Sequence, residues 1–300
     1  GGAHRLRRAR QADGRRVRLL VQGDARFAGT TTIWQAVDAA DRFVRLHFWG
    51  FTFFLVLLGV TSVEPDPSLG RLLLAMAVAA LFHNFAYVLN DVVDLPVDRT
   101  HPSRRGDFLV RGVIRPWQAM VFALAQVPLA VGLSLWAGVG AAGVAVLLLG
   151  FALMTVYDLW GKKCLCPPLT DLAQGLGWGC LVLYGALACG RPPSVLTWVA
   201  FASGAGFILL INGVHGGLRD LTNDLARGSR TTAIFFGSRP DSGGVTLHRG
   251  LRIFALSVQL MLVAAVAVPL AGRAFGYSDR AWLATVGVQV LHREGEDPEP

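Results

Sequence analysis

Long apolar runs limit the folds that this chain can adopt. Each run holds about 20 residues, the length that an α-helix needs to cross a hydrocarbon core of roughly 30 Å. Backbone groups in lipid must be hydrogen-bonded within the segment, so such runs are helical. The sequence predicts an all-α, polytopic transmembrane bundle. Its membrane helices are expected near 43–62, 71–95, 116–136, 139–157, 169–190, 194–219 and 248–271, with a weaker segment near 280–292.

The composition supports a bilayer environment. Of the 300 residues, 53% are hydrophobic and 16% are charged, and the mean hydropathy of +0.48 is well above that of a typical soluble domain. A net charge of +8 would suggest nucleic acid as a partner of a soluble protein. Here the arginines lie between apolar runs, so we interpret them as topology signals and phosphate ligands. We expect membrane lipid, and no nucleic acid, around the chain.

The positive charges alternate along the chain. The arm 1–42 and the connections 96–115, 158–168 and 220–247 are basic, whereas 63–70 contains no arginine or lysine. Because cytoplasmic loops carry the excess of basic residues, we expect the arm and the basic loops to be cytoplasmic. The predicted organisation is an arm (1–42), a bundle (43–292) and a charged tail (293–300). We expect a multi-pass protein of a bacterial plasma membrane.

An acidic cluster ends the second apolar run, in the segment NDVVDLPVDRTHPSRR. It has the pattern N-D-x-x-D-x-x-x-D, formed by Asn90, Asp91, Asp94 and Asp98. Residues three and four apart share a helix face, so Asp91 and Asp94 can converge on one point. Pro96 cannot continue a regular helix. We therefore expect the helix to end or kink near Asp94 and a fresh turn to present Asp98.

A second acidic cluster follows the sixth run, in the segment DLTNDLARGSRTT, and is formed by Asp220 and Asp224. Several carboxylates at a membrane edge repel one another unless cations neutralise them. Mg²⁺ prefers oxygen ligands and is often held by one or two carboxylates together with substrate phosphates. Two such clusters on one predicted face indicate metal ions on either side of one diphosphate.

Basic residues accompany both clusters. We expect Arg99, Lys162, Arg227 and Arg230 to bind the diphosphate, because each lies in a loop that must pack near a cluster. Arg104 and Arg105 are further basic residues after the first cluster.

Polar side chains also interrupt the apolar runs. His83 and Tyr87 recur at helical spacing with Asp91 and Asp94, and Asn212 lies on the sixth helix. We interpret His83, Tyr87 and Asn212 as lining a shared substrate cavity. For His83, a helix-to-helix hydrogen bond is an equally good interpretation.

The two acidic segments resemble the signature regions of the UbiA superfamily of aromatic prenyltransferases. The middle segment YDLWGKKCLCPPLTD is similar to the Tyr and Lys segment of that family through Tyr157, Lys162 and Asp171. The resemblance runs from about residue 43 to 271. It implies a bundle of seven to nine membrane helices around a central cavity, with Tyr157 among the substrate-binding residues. Two Mg²⁺ ions would be held by Asn90, Asp91, Asp94, Asp98, Asp220 and Asp224, of which Asp91, Asp94, Asp220 and Asp224 would be catalytic.

The implied reaction is a Mg²⁺-dependent transfer of a prenyl group. An isoprenyl diphosphate would be ionised at its allylic C–O bond, and an electron-rich, aromatic or lipophilic acceptor would capture the cation. The base for the acceptor proton stays open, with Asp98 and Asp171 as candidates. Two alternatives belong to the same superfamily: cyclisation of the prenyl diphosphate without an acceptor, and phosphoribosyl transfer to a polyprenyl phosphate. A membrane transporter is the alternative from another class.

Overall fold

The computed structural model describes residue 41 and residues 43–101, 104–241, 244–272 and 274–275. The predicted arm 1–42, apart from Asp41, lies outside these residues, as do the weak segment 280–292 and the tail 293–300. The chain divides into two units, Gly1–Leu46 and His47–Pro300. In the first unit, the backbone N–H of Arg45 donates to the Asp41 carbonyl at 2.7 Å.

Helices dominate the second unit. We number them α1 (Trp49–Thr61), α2 (Leu69–Val93), α3 (Leu95–Asp98), α4 (Pro116–Trp136), α5 (Ala141–Trp160), α6 (Pro167–Ala188), α7 (Val195–Leu210), α8 (Gly217–Arg219), α9 (Leu221–Ala226), α10 (Thr232–Phe235) and α11 (Arg249–Ala271). A 3₁₀ turn, Leu46–Phe48, precedes α1, and a π-helical turn, Ile211–Gly216, joins α7 to α8. Strands β1 (Arg239–Asp241) and β2 (Gly244–Thr246) form an antiparallel hairpin, with Pro240 opposite Val245.

The helices agree closely with the apolar runs, and the all-α prediction is confirmed. Five described helices are long and apolar enough to cross a membrane: α2, α4, α5, α11 and the continuous segment Val195–Arg219. The first predicted helix is shorter than 43–62, because Arg45 has a positive φ of 51° and the regular helix begins at Trp49. The hairpin β1–β2 lies in what the sequence predicted as a loop.

Helix α6 forms the centre of the bundle and packs against α1, α5 and α7. Its buried residues include Gly185, which meets Gly59 of α1 at a crossing where the two backbones touch. A Cβ atom on Gly59 would lie 2.0 Å from the Val182 carbonyl oxygen, and one on Gly185 would lie 2.3 Å from that of Val56. Small residues of this kind let membrane helices approach closely.

A break in the helix falls within the first acidic segment. Helix α2 stops at Val93 with Asp94 as its C-cap, and α3 starts at Leu95 with Pro96 in its first turn. Proline is tolerated there because the first N–H groups of a helix have no intrahelical partner. The predicted break near Asp94 is therefore confirmed, and Asp98 lies on the new turn.

Exposed tryptophans mark both ends of the bundle. Trp117 begins α4 and Trp160 ends α5, whereas Trp136 ends α4 and Trp198 lies in the first turn of α7. All four side chains are at least half exposed. Tryptophan favours the membrane–water interface, where its ring is half in lipid and its N–H can reach water. The two pairs are what we expect at two interfaces of one bilayer.

The Gly59–Gly185 crossing should not tolerate a larger side chain. We expect Gly185→Leu to lower the stability of the folded protein by about 1–3 kcal/mol or more, because the added atoms have no space. Gly132→Leu on α4 is a matched control, since a Cβ there meets nothing within 4 Å. Thermal unfolding of both variants in detergent provides the measurement. Equal stability of the two variants would contradict the close approach.

Candidate functional site

The first acidic cluster is assembled at the end of α2 and in α3. Asn90 and Asp91 lie in the last turn of α2, Asp94 is its C-cap and Asp98 ends α3. Lys162, just after α5, donates from Nζ to Asp94 Oδ2 at 2.8 Å. Burial lowers the pKa of Lys162, but the hydrogen bond to Asp94 and the charges of Asp94, Asp224 and Asp98 together outweigh that effect, and the pKa is raised. A permanent positive charge therefore lies against the cluster.

The second acidic cluster lies at the same end of the bundle. Asp220 separates α8 from α9, and its Oδ1 is 3.8 Å from Nε2 of His101, which follows the first cluster. Asp224 on α9 is buried. Burial raises the pKa of Asp224, Lys162 opposes that rise, and the charges of Asp220 and Asp94 add to it. Two segments separated by more than 100 residues thus share one electrostatic environment, which we call the acidic site.

Arg219 stabilises the ionised form of Asp220. Its guanidinium donates to both carboxylate oxygens, at 2.9 and 2.7 Å. Burial alone would raise the pKa of Asp220, but the hydrogen bonds and the charge of Arg219 outweigh it, and the pKa is lowered. Asp220 is therefore ionised near neutral pH, which is the form that binds cations.

The middle loop joins the second cluster to the first. The backbone N–H of Arg230 donates to the Lys162 carbonyl at 2.9 Å, and the Thr232 hydroxyl donates to Asp171 Oδ2 on α6. These contacts hold the segment after α9 against the loop that carries Lys162. The three segments that the sequence singled out consequently meet at one end of the bundle.

Asp98 lies at the edge of the acidic site beside Arg104. The Nε atom of Arg104 is 3.9 Å from Asp98 Oδ1, and its Nη1 is 3.2 Å from Asp107. Burial raises the pKa of Asp98 to about 6; Arg104 opposes that rise, whereas Asp91 and Asp94 increase it. Arg99, which the sequence favoured, is exposed. The structure thus brings Arg104, and not Arg99, against the carboxylates.

The other predicted ligands lie on α5, on the loop after α9 and in the π-helical turn. Tyr157 is close enough to Asp171, Asp158, Asp94 and Asp224 to interact with their charges. The side chains of Arg227 and Arg230 are exposed on the loop after α9. Asn212 lies in the π-helical turn and donates from Nδ2 to Gln174 Oε1 on α6 at 2.7 Å.

His83 and Tyr87 belong to an aromatic layer beneath the acidic site. His83 is fully buried, and its Nδ1 is 2.7 Å from the Thr52 hydroxyl of α1. The ring of Tyr87 lies 4.4 Å from that of His83 and 5.7 Å from that of Trp178, between ring centroids. In this structure His83 makes the helix-to-helix hydrogen bond that the sequence left open.

The carboxylates suit a metal site that a substrate completes. Within the described part of the chain, no three His, Cys, Asp or Glu side chains are placed to hold a metal ion by themselves. Mg²⁺ commonly takes one or two carboxylates, several waters and the phosphate oxygens of a substrate. Asp94, Asp98 and Asp224 interact electrostatically across the site, so their oxygens fit this incomplete donor set.

Four residues that the sequence analysis did not select also support the site. They are His101 beside Asp220, Asp158 beside Asn90, Thr232 beside Asp171 and Gln174 beside Asn212. Asp158 and Gln174 could have been found from the sequence, because each is a polar residue near the end of an apolar run. Nothing in the sequence pairs Thr232 with Asp171, because that contact depends on how the loop after α9 folds back.

The Thr52–His83 pair should contribute to stability as a unit. We expect His83→Leu and Thr52→Val each to destabilise the protein by about 1 kcal/mol, the scale of interhelical hydrogen bonds in membranes. Because both changes remove the same bond, the double variant should lose less than the sum of the single losses. Unfolding measurements on the three variants test this, and strictly additive losses would contradict it.

Comparison with known proteins agrees with this architecture. The UbiA prenyltransferase family matches residues 46–291, whereas no curated protein sequence matches the chain significantly. A solved digeranylgeranylglyceryl phosphate synthase shares 19% identity, with a TM-score of 0.61 over 79% of this chain and 78% of the other. A UbiA homologue from Aeropyrum pernix K1 shares 18%, with a TM-score of 0.61 over 82% and 90%.

A third solved structure is a UbiA homologue from Archaeoglobus fulgidus bound to GPP and Mg²⁺. It shares 17% identity with this chain, with a TM-score of 0.58 over 83% of this chain and 94% of the other. At these identities the structural neighbours establish the fold. The family match covers most of the bundle and includes both acidic segments and the middle loop. The chain is therefore an integral membrane protein that belongs to the UbiA prenyltransferase family.

Proposed function

We propose that this protein ionises an isoprenyl diphosphate with the help of Mg²⁺ and transfers the prenyl group to an electron-rich, aromatic or other lipophilic acceptor. The observation that carries the proposal is the meeting of two distant acidic clusters around Lys162 at one end of a membrane bundle. Homologues from Archaeoglobus fulgidus bind GPP or DMAPP together with Mg²⁺, which supports the same class of substrate here.

The proposed metal ligands come from both clusters. Two Mg²⁺ ions would be held by Asn90, Asp91, Asp94 and Asp98 on one side and by Asp220 and Asp224 on the other. When bound, Mg²⁺ supplies positive charge that stabilises the diphosphate as a leaving group. Lys162 is held among the carboxylates before any ligand arrives, and its ammonium can turn to a diphosphate oxygen once metal takes its place.

The reaction then requires that the carbocation be shielded from water. As the allylic C–O bond breaks, the diphosphate takes the electron pair and the prenyl fragment becomes positively charged. Tyr87 lies one helical turn before Asp91 on α2, its ring neighbours that of Trp178, and ring faces stabilise cations. Exclusion of water protects the cation until the acceptor forms the new bond and loses a proton.

The orientation in the membrane follows from charge. The loops at the acidic end carry Arg104, Arg105, Arg111 and Arg115, whereas the opposite end carries little positive charge. We therefore place the acidic end, together with the arm 1–42, on the cytoplasmic side of a bacterial plasma membrane. Residues 43–292 would form the catalytic bundle and 293–300 a tail.

Metal-dependent release of diphosphate tests the proposal. Purified protein should release diphosphate from allylic substrates only with Mg²⁺, and Asp94→Asn or Asp224→Asn should reduce the rate at least about a hundredfold, as expected when one charge-stabilising group is lost. Asp66→Asn, in an exposed loop at the opposite end, is a matched control and should keep the wild-type rate. Full activity of the Asp94 or Asp224 variant would refute the metal role.

The same assay separates transferase from cyclase. Reactions with and without phenolic or quinone-type acceptors should give an alkylated acceptor only when the acceptor is present. A hydrocarbon product in its absence would instead identify a terpene cyclase. A product formed only from a polyprenyl phosphate and a phosphorylated pentose would identify phosphoribosyl transfer. The absence of any diphosphate release would support a membrane transporter.

Arg104 should matter more than Arg99 for binding the diphosphate. Arg104 lies beside Asp98 and is partly buried, whereas Arg99 is exposed. Since hydrogen bonds to charged groups contribute about 1.5–3 kcal/mol, we expect Arg104→Gln to raise the KM for the diphosphate at least about tenfold. Arg99→Gln should change this KM less than about threefold, because charge interactions of exposed side chains contribute little. The reverse order would assign the phosphate contact to Arg99.

A further inference from the structure

Helices α2 and α5 are joined by two polar contacts one helical turn apart. Asn90 Nδ2 donates to Asp158 Oδ1 at 3.1 Å, and Lys162 Nζ donates to Asp94 Oδ2 at 2.8 Å. Asn90 and Asp94 are four residues apart, as are Asp158 and Lys162. Asn90 and Asp158 lie in the last turns of α2 and α5, and Asp94 and Lys162 directly follow those helices, so the two helix ends contact each other twice in succession.

The chemistry of the pair determines which way the Asn90 amide points. An amide has an NH₂ donor on one side and a carbonyl acceptor on the other. In the structure the NH₂ group of Asn90 donates to Asp158 Oδ1, which leaves the carbonyl oxygen of Asn90 on the side away from that carboxylate. Asp158 is only 6% exposed, so water offers little competition for this contact.

We propose that Asp158 is a positioning residue that orients Asn90 so that its carbonyl oxygen, and not its NH₂ group, faces the metal in the acidic site. Without Asp158 the amide can rotate and present N–H groups, which cannot ligate a cation. Residues behind a metal ligand commonly set its orientation, and their loss weakens metal binding about 10–100-fold. Lys162, just after α5, contacts Asp94, the C-cap of α2, so the end of α5 and the loop after it contact two of the proposed ligands.

This inference rests on the proposed function, because it assumes that Asn90 binds the metal. A purely structural contact between α2 and α5 is the competing explanation. The two differ in what they predict for metal binding by the purified protein with an unreactive substrate analogue. A structural contact affects unfolding to the same extent with and without metal, whereas a positioning residue affects metal affinity itself.

The experiment measures Mn²⁺ binding by electron paramagnetic resonance, with a non-hydrolysable prenyl thiodiphosphate present. Full-length wild type, Asp158→Leu and the exchanged pair Asn90→Asp with Asp158→Asn are compared. We expect Asp158→Leu to bind Mn²⁺ about 10–100-fold more weakly. The exchanged pair should recover to within about threefold of wild type, because an amide at 158 again donates to residue 90, which still offers an oxygen.

A matched control removes a buried interhelical hydrogen bond far from the acidic site. Tyr184 of α6 and Ser134 of α4 form such a bond at 2.8 Å. Tyr184→Phe should lower the unfolding temperature without changing Mn²⁺ affinity. If Asp158→Leu behaves like Tyr184→Phe, or if the exchanged pair does not recover, the inference is wrong.

Two further readouts keep the test decisive. If Asp158→Leu does not fold, Asp158→Asn replaces it. An amide at position 158 can either donate or accept a hydrogen bond, so it no longer fixes the orientation of Asn90. An unchanged Mn²⁺ affinity in that variant therefore overturns the inference. Diphosphate release by the wild type is measured in parallel. An inactive wild type that still loses Mn²⁺ binding on the Asp158 change refutes the proposed reaction but supports the positioning role.

Discussion

The arrangement of the acidic site depends on how several carboxylates are kept together at the edge of a membrane. Burial raises the pKa values of Asp98 and Asp224; the charges of Asp91 and Asp94 add to the rise at Asp98, and those of Asp220 and Asp94 add to the rise at Asp224. Lys162 offsets part of this rise. Since an ammonium is a compact point charge with three donors, it stabilises the neighbouring carboxylates in their ionised form.

The rest of the bundle makes this convergence possible. Helix α6 crosses α1 at Gly59 and Gly185 with the backbones in contact, which draws the surrounding helices inward around the buried aromatic layer. Larger side chains at the crossing would separate α1 from α6, the helix against which α5 and α7 also pack. Irregular backbone at Asp94 and in the π-helical turn Ile211–Gly216 then releases the chain into the loops. Such irregularities are tolerated at membrane depth only where protein or a cavity surrounds them.

Sequence reasoning was most successful where one physical rule dominates. The bounds of α4 match the predicted 116–136, because Pro116 starts the helix and the apolar run stops at Trp136. The break after Val93 follows from Pro96. Side-chain partners were harder to predict: Arg99 was favoured over Arg104, and the Asn90–Asp158 contact was not foreseen. A long, flexible side chain reaches many positions from a given backbone, so its partner is set by the loop that surrounds it.

The sequence by itself determined that the chain is a helical membrane bundle and where the acidic segments leave the helices, because helix length, proline and charge act locally. It also carried the family resemblance, since the two acidic motifs are contiguous. Only the tertiary structure decided that Asp94 meets Lys162, that His101 meets Asp220 and that His83 is used between helices. Those contacts join residues far apart in the chain, and their distances depend on how the helices pack.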